Sequence, residues 1–186
     1  FVTYHVNGGK SINCVCLVEQ DGWLNESWSE KGEIGELKRA YKGWNRTIET
    51  LLQHADPNNL YKWALHDRLP MKQWSKGRIV VLGDAAHPML PFLAQGAAMA
   101  IEDGAVLANC IDNFDEVEEA LKYFEKIRKP RTSYVQSAAR RNAKVLHLSG
   151  FAAILRNLVM GYIGNKIFKK LYSYDALSIM NNNHNN

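Results

Sequence analysis

The residues best suited to chemistry lie in one run near the middle of the chain, between Gly83 and Asp103. Asp84 places a carboxylate directly after a short apolar segment with the β-branched character of a buried strand. Such a carboxylate accepts hydrogen bonds from the hydroxyl groups of a sugar or polyol, and ligands collect beyond strand ends in α/β units. Gly83 permits a sharp turn and a close backbone approach. The pair is therefore a candidate binding site for a hydroxyl-rich ligand.

The second feature is the start of the helix predicted after this turn. Gly96, Ala97 and Ala98 have almost no side chain, and a helix N-terminus offers free N–H groups with a partial positive charge. Such amides suit an anion, or the edge of a reduced flavin where negative charge develops. Close helix packing explains the same small residues, and a loop or packing role explains His87. Only the combination of the two features is specific.

The elements that must position these residues run from strands to helices. Asn7 and Gly8, which tolerate positive φ, predict a tight turn between two strands. Apolar residues on both faces of the second strand predict that both faces are covered. Pro130 predicts a kink or break in the helix that begins near Val117. The other predicted elements are helices at residues 32–55, 95–111, 133–148 and 151–172, an extended segment at 60–69 and a buried strand at 78–82.

Composition excludes several functional classes. A net charge of +4 on 186 residues predicts no nucleic-acid-binding surface. The densest basic stretch, residues 126–144, is typical of a solvated helical face, with contact to a partner domain or an acidic ligand as the alternative. Residues 151–168 are interrupted by polar and charged side chains, so we expect an amphipathic helix and no membrane span. Residues 176–186 predict a disordered tail.

The cysteines indicate the redox compartment. Cys14, Cys16 and Cys110 cannot form a disulfide framework, and their odd number is typical of a reducing compartment. Because no second cysteine pair completes a metal site, we expect no bound metal and interpret them as small buried hydrophobes. The predicted location is therefore the cytoplasm.

The central run GDAAHPMLPFLAQGAAMAIED, from Gly83 to Asp103, closely resembles the second flavin-contacting motif of the group A FAD-dependent aromatic-ring monooxygenases. Within that family it is most similar to the salicylate hydroxylase and 6-hydroxynicotinate 3-monooxygenase subgroup. The resemblance covers the chain up to about residue 172. The flanking segments that share it are residues 8–10, Asn13, 62–70, Trp74, 128–131, 140–142 and 147–148.

The resemblance implies an α/β (α+β) fold, the C-terminal part of a p-hydroxybenzoate-hydroxylase-like FAD-binding fold. It implies that residues 1–75 end the substrate-binding β-sheet region, 76–112 form the FAD-contacting strand–loop–helix, and 113–175 form C-terminal helices before the tail. Members of this family hold the ADP part of FAD with an N-terminal G-x-G-x-x-G unit, and none occurs in this sequence. We therefore expect the chain to be a C-terminal half whose partner is a missing N-terminal dinucleotide-binding half.

The resemblance also implies a function. It is that of a FAD-dependent monooxygenase that hydroxylates a small aromatic acid, salicylate- or hydroxynicotinate-like, with NAD(P)H and O2. Other flavoproteins of this fold (epoxidases, quinone-biosynthesis hydroxylases, reductases) and a non-catalytic remnant are the alternatives. No catalytic side chain is implied because the cofactor carries the hard chemistry. The isolated fragment is expected to be inactive and to bind FAD weakly or not at all.

The resemblance carries roles to individual residues. Asp84 would hydrogen-bond a hydroxyl in the ribityl–ribose part of FAD, and Pro91 would lie by the isoalloxazine ring and the substrate. Tyr4 is the candidate for contact with the aromatic acid. His5 stands where relatives commonly have proline, and Gly104 replaces a usual alanine inside the helix. The remaining candidates for FAD contact are Gly83, Gln95, Gly96, Ala97 and Ala98, the last three through backbone amides at the pyrimidine edge.

Overall fold

A computed structural model of the chain describes residues 1–19, 27 and 29–178. The chain forms two compact units, one of residues 1–65 and one that begins at residue 66. The mixture of helices and short strands confirms the predicted α/β (α+β) class. The functional boundary expected at residue 75 stays a prediction, and residues 179–186 of the expected tail lie outside the described residues.

The first unit opens with an antiparallel hairpin of two strands, β1 (Val2–Val6) and β2 (Ser11–Val15). Residues 7–9 between them all have positive φ (53°, 64° and 87°), which confirms the predicted turn chemistry. The expectation that both faces of the second strand are covered is wrong for one face, where Ile12 and Val18 are 48% and 51% exposed. On the other face, Val15 and Leu17 are half-buried.

Regular structure after the hairpin is shorter than expected. The single helix predicted for residues 32–55 is two helices, α1 (Ile34–Ala40) and α2 (Arg46–Gln53). Gly43, with a φ of 81°, interrupts the helical path, and the Asn45 side chain caps α2 by accepting a hydrogen bond from a backbone N–H in its first turn (3.1 Å). The extended segment predicted at 60–69 forms only an isolated bridge.

The second unit contains a pair of two-residue antiparallel strands, β3 (Ser75–Lys76) and β4 (Ile79–Val80). The predicted buried strand is therefore shorter than expected, and Ile79 is 73% exposed. Glu125 anchors this pair, because its Oε2 accepts hydrogen bonds from the N–H groups of Trp74 and Ser75 (both 3.0 Å). Burial would raise the pKa of Glu125, but these hydrogen bonds hold it below its usual value.

Three helices complete the second unit: α3 (Gly96–Asn113), α4 (Val117–Leu146) and α5 (Gly150–Tyr172). Helices α3 and α5 confirm the helices predicted in those regions. Across the described part of the chain, no helix is both long and apolar enough to cross a membrane.

Helix α4 continues through Pro130 for 30 residues, so the prediction that this proline separates two helices is wrong. Proline costs a helix interior about 3 kcal/mol because it lacks an N–H and its ring crowds the preceding turn. Tertiary packing on both sides of the proline outweighs that cost. The buried residues before it are Ala120, Leu121, Phe124 and Arg128, and those after it are Thr132, Val135, Gln136 and Ala139.

The main core of this unit lies between α3 and α4. Its buried residues are Trp74, Ala86, Val106, Cys110, Ala120 and Phe124. A second cluster of Met99, Val135 and Leu171 joins α3, α4 and α5. The loop between β4 and α3 lies over these clusters, so the core sets the position of the segment that carries the candidate site.

Replacing Gly104 with alanine is expected to stabilise the full-length protein by about 1 kcal/mol, the difference in helix propensity between the two residues. Gly104 lies inside α3, and a Cβ built on it meets nothing within 4 Å. The shift in the midpoint of chemical unfolding measures the gain, with Ala105→Gly as the reverse control at the next exposed position. A loss of stability in Gly104→Ala would contradict the prediction.

Candidate functional site

The loop after β4 and the first turn of α3 enclose an open cleft of about 500 Å³. Small-molecule sites typically have volumes of about 300–1,000 Å³, so the cleft is large enough for part of a cofactor. The structure brings four of the predicted site residues together here. The residues that line the cleft are Asp84, Met89, Leu90, Pro91, Ala94, Gly96, Ala97 and Ala100.

A one-turn 3-10 helix, Gly83–Ala85, presents Asp84 to this cleft. Gly83 has a φ of 58°, and its carbonyl accepts hydrogen bonds from the N–H groups of Ala86 (3.0 Å) and His87 (2.9 Å). A Cβ on Gly83 would lie 3.3 Å from the Cβ of Ala100 in α3. Glycine is required there by both the backbone conformation and the close approach to α3.

The start of α3 forms the opposite side of the cleft. Ala94 adopts the left-handed conformation (φ 51°, ψ 38°) and turns the chain into the helix. Met99 is the first residue whose N–H reaches back along the helix, 2.9 Å to the carbonyl of Gln95. The N–H groups of the preceding turn are those that a helix leaves without an internal acceptor, and the first turn carries no acidic residue. A Cβ built on Gly96 would lie 3.9 Å from Asp84 Oδ1, so the carboxylate and the helix start are close neighbours.

Besides Gly83, three of the predicted residues do not line the cleft. The Gln95 side chain is only 5% exposed and does not line the cleft. Ala98 packs on the core cluster of Met99, Val135 and Leu171, which leaves only its backbone amide for a ligand. Tyr4 lies in the first unit, where its hydroxyl accepts a hydrogen bond from Asn13 Nδ2 across the hairpin (2.7 Å).

A buried ionic network lies directly behind the turn that carries Asp84. Asp103 of α3 accepts hydrogen bonds from His87 Nε2 (2.6 Å) and from the N–H of Gly83 (3.0 Å) on one oxygen, and from Arg128 Nε (2.7 Å) on the other. Burial would raise the pKa of Asp103, but the hydrogen bonds from His87, Gly83 and Arg128 hold it below its usual value. Asp103 is therefore ionised, and His87, for which the sequence suggested a loop or packing role, is buried in contact with it.

The same network corrects, for Arg128 and Arg131, the interpretation of the basic stretch at residues 126–144 as a solvated face, while Lys126, Arg141 and Lys144 are exposed. Arg128 is fully buried, and its Nη2 lies 2.8 Å from Glu102 Oε2 in addition to the contact with Asp103. Arg131 donates to the carbonyl of Leu171 at the end of α5 (2.8 Å). These arginines join helices inside the protein, and sequence analysis did not identify them as partners of the motif.

Side-chain donors also hold the backbone of the loop from the outside. Each of three loop carbonyls accepts a hydrogen bond from a side chain on α4 or on the segment before β3. The pairs are Arg68 to Ala85, Gln136 to Pro88 (2.9 Å) and Asn142 to Phe92 (2.6 Å). The sequence carried a signal for the buried polar face of α4, because Arg128, Thr132 and Gln136 recur every four residues and so share one helix face.

Comparison with known structures shows the fold in which this site occurs. The chain superimposes on a salicylate hydroxylase solved in complex with its substrate, with a TM-score of 0.68 over 94% of this chain and 44% of that one. The identity is 24%, so this likeness concerns the fold alone. The fold of this chain is therefore the FAD-dependent hydroxylase fold that the central motif predicted.

The sequence profile of the FAD binding domain matches residues 22–139, and the chain belongs to that family. It is 40% identical to the 6-hydroxynicotinate 3-monooxygenase of Pseudomonas fluorescens, over 76% of this chain and 37% of that protein. It is 37% identical to 3-hydroxybenzoate 6-hydroxylase 1 of Aquipseudomonas alcaligenes, over 86% of this chain and 40% of that protein. The chain therefore spans about two fifths of the length of the relatives it matches, and the family resemblance inferred from the motif is confirmed.

Proposed function

We propose that this chain provides part of the FAD site of a monooxygenase that hydroxylates a small aromatic acid with NAD(P)H and O2. One observation carries the proposal: the Asp84 carboxylate and the amide-bearing first turn of α3 face the same cleft. The carboxylate accepts hydrogen bonds and the amides donate them, so the two suit different parts of one ligand. The family and the relatives support FAD as that ligand.

The residues of the cleft fit FAD on structural grounds. Asp84 is exposed and would accept hydrogen bonds from ribityl or ribose hydroxyls. The amides of Gly96, Ala97 and Ala98 would hold the pyrimidine edge of the ring, where the partial positive charge of the helix would stabilise negative charge. Pro91 would border the ring and the substrate. Bound FAD supplies the electron transfer from NAD(P)H and the activation of O2.

The chain's own contribution is to bind and orient. Small side chains at Gly96, Ala97 and Ala100 let a planar ring approach the helix backbone, while Met89 and Leu90 provide apolar walls. We propose that Tyr4 contacts the aromatic acid, and that contacts to the ADP part of FAD come from residues outside this chain. The chain's cysteines are free, which supports a cytoplasmic location.

The function is tested on the full-length protein. We expect it to contain stoichiometric FAD, measured by flavin absorbance after release from the protein. Salicylate, 3-hydroxybenzoate or 6-hydroxynicotinate should accelerate NAD(P)H oxidation and yield a hydroxylated product, detected by chromatography and mass spectrometry. Flavin reduction without any hydroxylated product from these acids would point to another flavoprotein of the same fold. A full-length protein that binds no FAD would refute the proposal.

Replacing Asp84 with alanine should weaken FAD binding by the full-length protein about 10- to 150-fold, since one hydrogen bond to a charged acceptor is worth about 1.5–3 kcal/mol. Asp84 is exposed, so the thermal unfolding midpoint of the apoprotein should stay unchanged. Quenching of flavin fluorescence on titration gives the affinity. Asp112→Ala removes an exposed carboxylate near the other end of α3, away from the cleft, and serves as the matched control. Equal FAD affinity in the Asp84→Ala variant and the wild type would remove Asp84 from the site.

A further inference from the structure

A single carboxylate oxygen fixes both ends of the turn that carries Asp84. Asp103 Oδ2 accepts the N–H of Gly83, immediately before Asp84 (3.0 Å), and Nε2 of His87, three residues after it (2.6 Å). The two donors come from opposite ends of a five-residue segment. Any shift of the turn relative to α3 would lengthen at least one of these hydrogen bonds.

Burial and charge make this attachment strong. Asp103 and Arg128 are 0% exposed and His87 is 1% exposed, so water does not compete for the hydrogen bonds. Arg128 Nε donates to the other oxygen of Asp103 (2.7 Å), which keeps the carboxylate ionised and aligned with the turn. Hydrogen bonds to an ionised acceptor are roughly twice as strong as those between neutral groups.

Asp84 itself has no comparable support. Within residues 1–19, 27 and 29–178, no side chain donates a hydrogen bond to its carboxylate, which is exposed at the cleft. Its position is therefore determined by the backbone of the turn, and the backbone is held by Asp103. His87 fits this role as a donor through Nε2, because its other ring nitrogen, the buried Nδ1, has no hydrogen-bond partner among the described residues.

We propose that Asp103 and His87 are positioning residues for FAD binding and that they act through Asp84. They hold the turn against α3 so that the Asp84 carboxylate meets a ligand hydroxyl without reorganising. The inference rests on the proposed function, because it takes FAD as the ligand of Asp84. It assigns to the buried network a role in cofactor affinity beyond its contribution to stability.

A double-mutant cycle on the full-length apoprotein tests this coupling. The proteins are the wild type, Asp84→Ala, His87→Leu and the double variant, and the probe is FAD, titrated by flavin fluorescence quenching. His87→Leu should weaken FAD binding about 10-fold, the effect of misplacing one charge-assisted hydrogen bond. In the Asp84→Ala background the same change should alter FAD affinity less than about 3-fold, because there is no carboxylate left to position. His87→Gln, which retains an N–H donor toward Asp103, should recover most of the affinity.

Thermal unfolding of each apoprotein separates positioning from folding. A purely structural role for His87 would lower the unfolding midpoint and weaken FAD equally in both backgrounds, and that additive result would overturn the inference. If His87→Leu gives no folded protein, His87→Phe replaces it in the same cycle. The ring centroids of His87 and Trp74 are 5.3 Å apart, so a phenylalanine ring can take the place of the imidazole beside Trp74. Unchanged FAD affinity in His87→Leu or His87→Phe would also overturn it.

Failure of the proposed function looks different. If Asp84→Ala binds FAD as tightly as the wild type, Asp84 is not an FAD ligand, and both the site and the inference are wrong. If Asp84→Ala weakens FAD and the two effects add, the proposed site stands and only the positioning role is lost.

Discussion

Replacing Arg128 with methionine is expected to lower the unfolding free energy of the full-length protein by about 3–5 kcal/mol, the typical cost of breaking a buried ion pair. Methionine is similar in length and carries no charge, so the change leaves Asp103 without its arginine and removes one of the two arginines that pair with Glu102. Asp103 is 0% exposed, and a carboxylate there is poorly solvated once its cationic partner is lost. Burial would lower the pKa of Arg128, but Asp103 and Glu102 raise it above its usual value. The guanidinium is thus charged in the native protein.

Chemical denaturation measures this loss, with Arg140→Met as the matched control. Arg140 lies on the same helix and pairs with Asp67, but both side chains are partly exposed (27% and 24%), so its removal should cost less than about 1 kcal/mol. Similar losses in the two variants would show that the buried pair contributes no more than the surface pair. Comparison of FAD affinity in the two variants then shows whether the network matters for the cleft as well as for the fold.

Replacing Ala97 with leucine should weaken FAD binding by about 10- to 100-fold, because inserting extra methylene groups where a ligand must pack costs about 1–3 kcal/mol. Ala97 lines the cleft in the first turn of α3 and its side chain is exposed in the apoprotein. Leucine is also a good helix former, so α3 should keep its stability. The expected result is a folded protein with an unchanged thermal midpoint that has lost its flavin.

The control for this prediction is Ala97→Ser, which adds a single oxygen and leaves most of the space open. Its FAD affinity should lie within about 3-fold of the wild type, the effect of well under 1 kcal/mol. Flavin fluorescence and the absorbance ratio of protein to bound flavin provide two independent readouts. Tight FAD binding by Ala97→Leu would mean that the ring does not lie against this turn.

Much of the candidate site could be predicted because its determinants are close together in sequence. Asp84 and Gly96 are separated by 11 residues, and the intervening loop is short enough for a resemblance in sequence to imply a similar path. Any sequence that forms this turn needs glycine at position 83, because of the positive φ and the close approach to α3. By contrast, the burial of Gln95 was not predictable from its neighbours, since it depends on how α3 packs against other elements.

The sequence by itself determined the features that arise from local backbone preference and from the central motif. The hairpin turn at residues 7–9 follows from Asn and Gly in positive φ, and the start of α3 follows from the loop residues and the alanine-rich run after them. Both features depend on interactions between residues that are close in sequence, so packing against distant parts of the chain does not change them.

Only the tertiary structure decided the pairing of Arg128 with Asp103 and the passage of α4 through Pro130. The ion pair joins residues 25 positions apart on different helices, and a basic stretch looks the same in sequence whether it faces water or a buried carboxylate. Helix α4 packs against α3 and the loop through many contacts along its length. The stabilisation from these contacts exceeds the free-energy cost of a proline inside the helix and of removing a charged arginine from water.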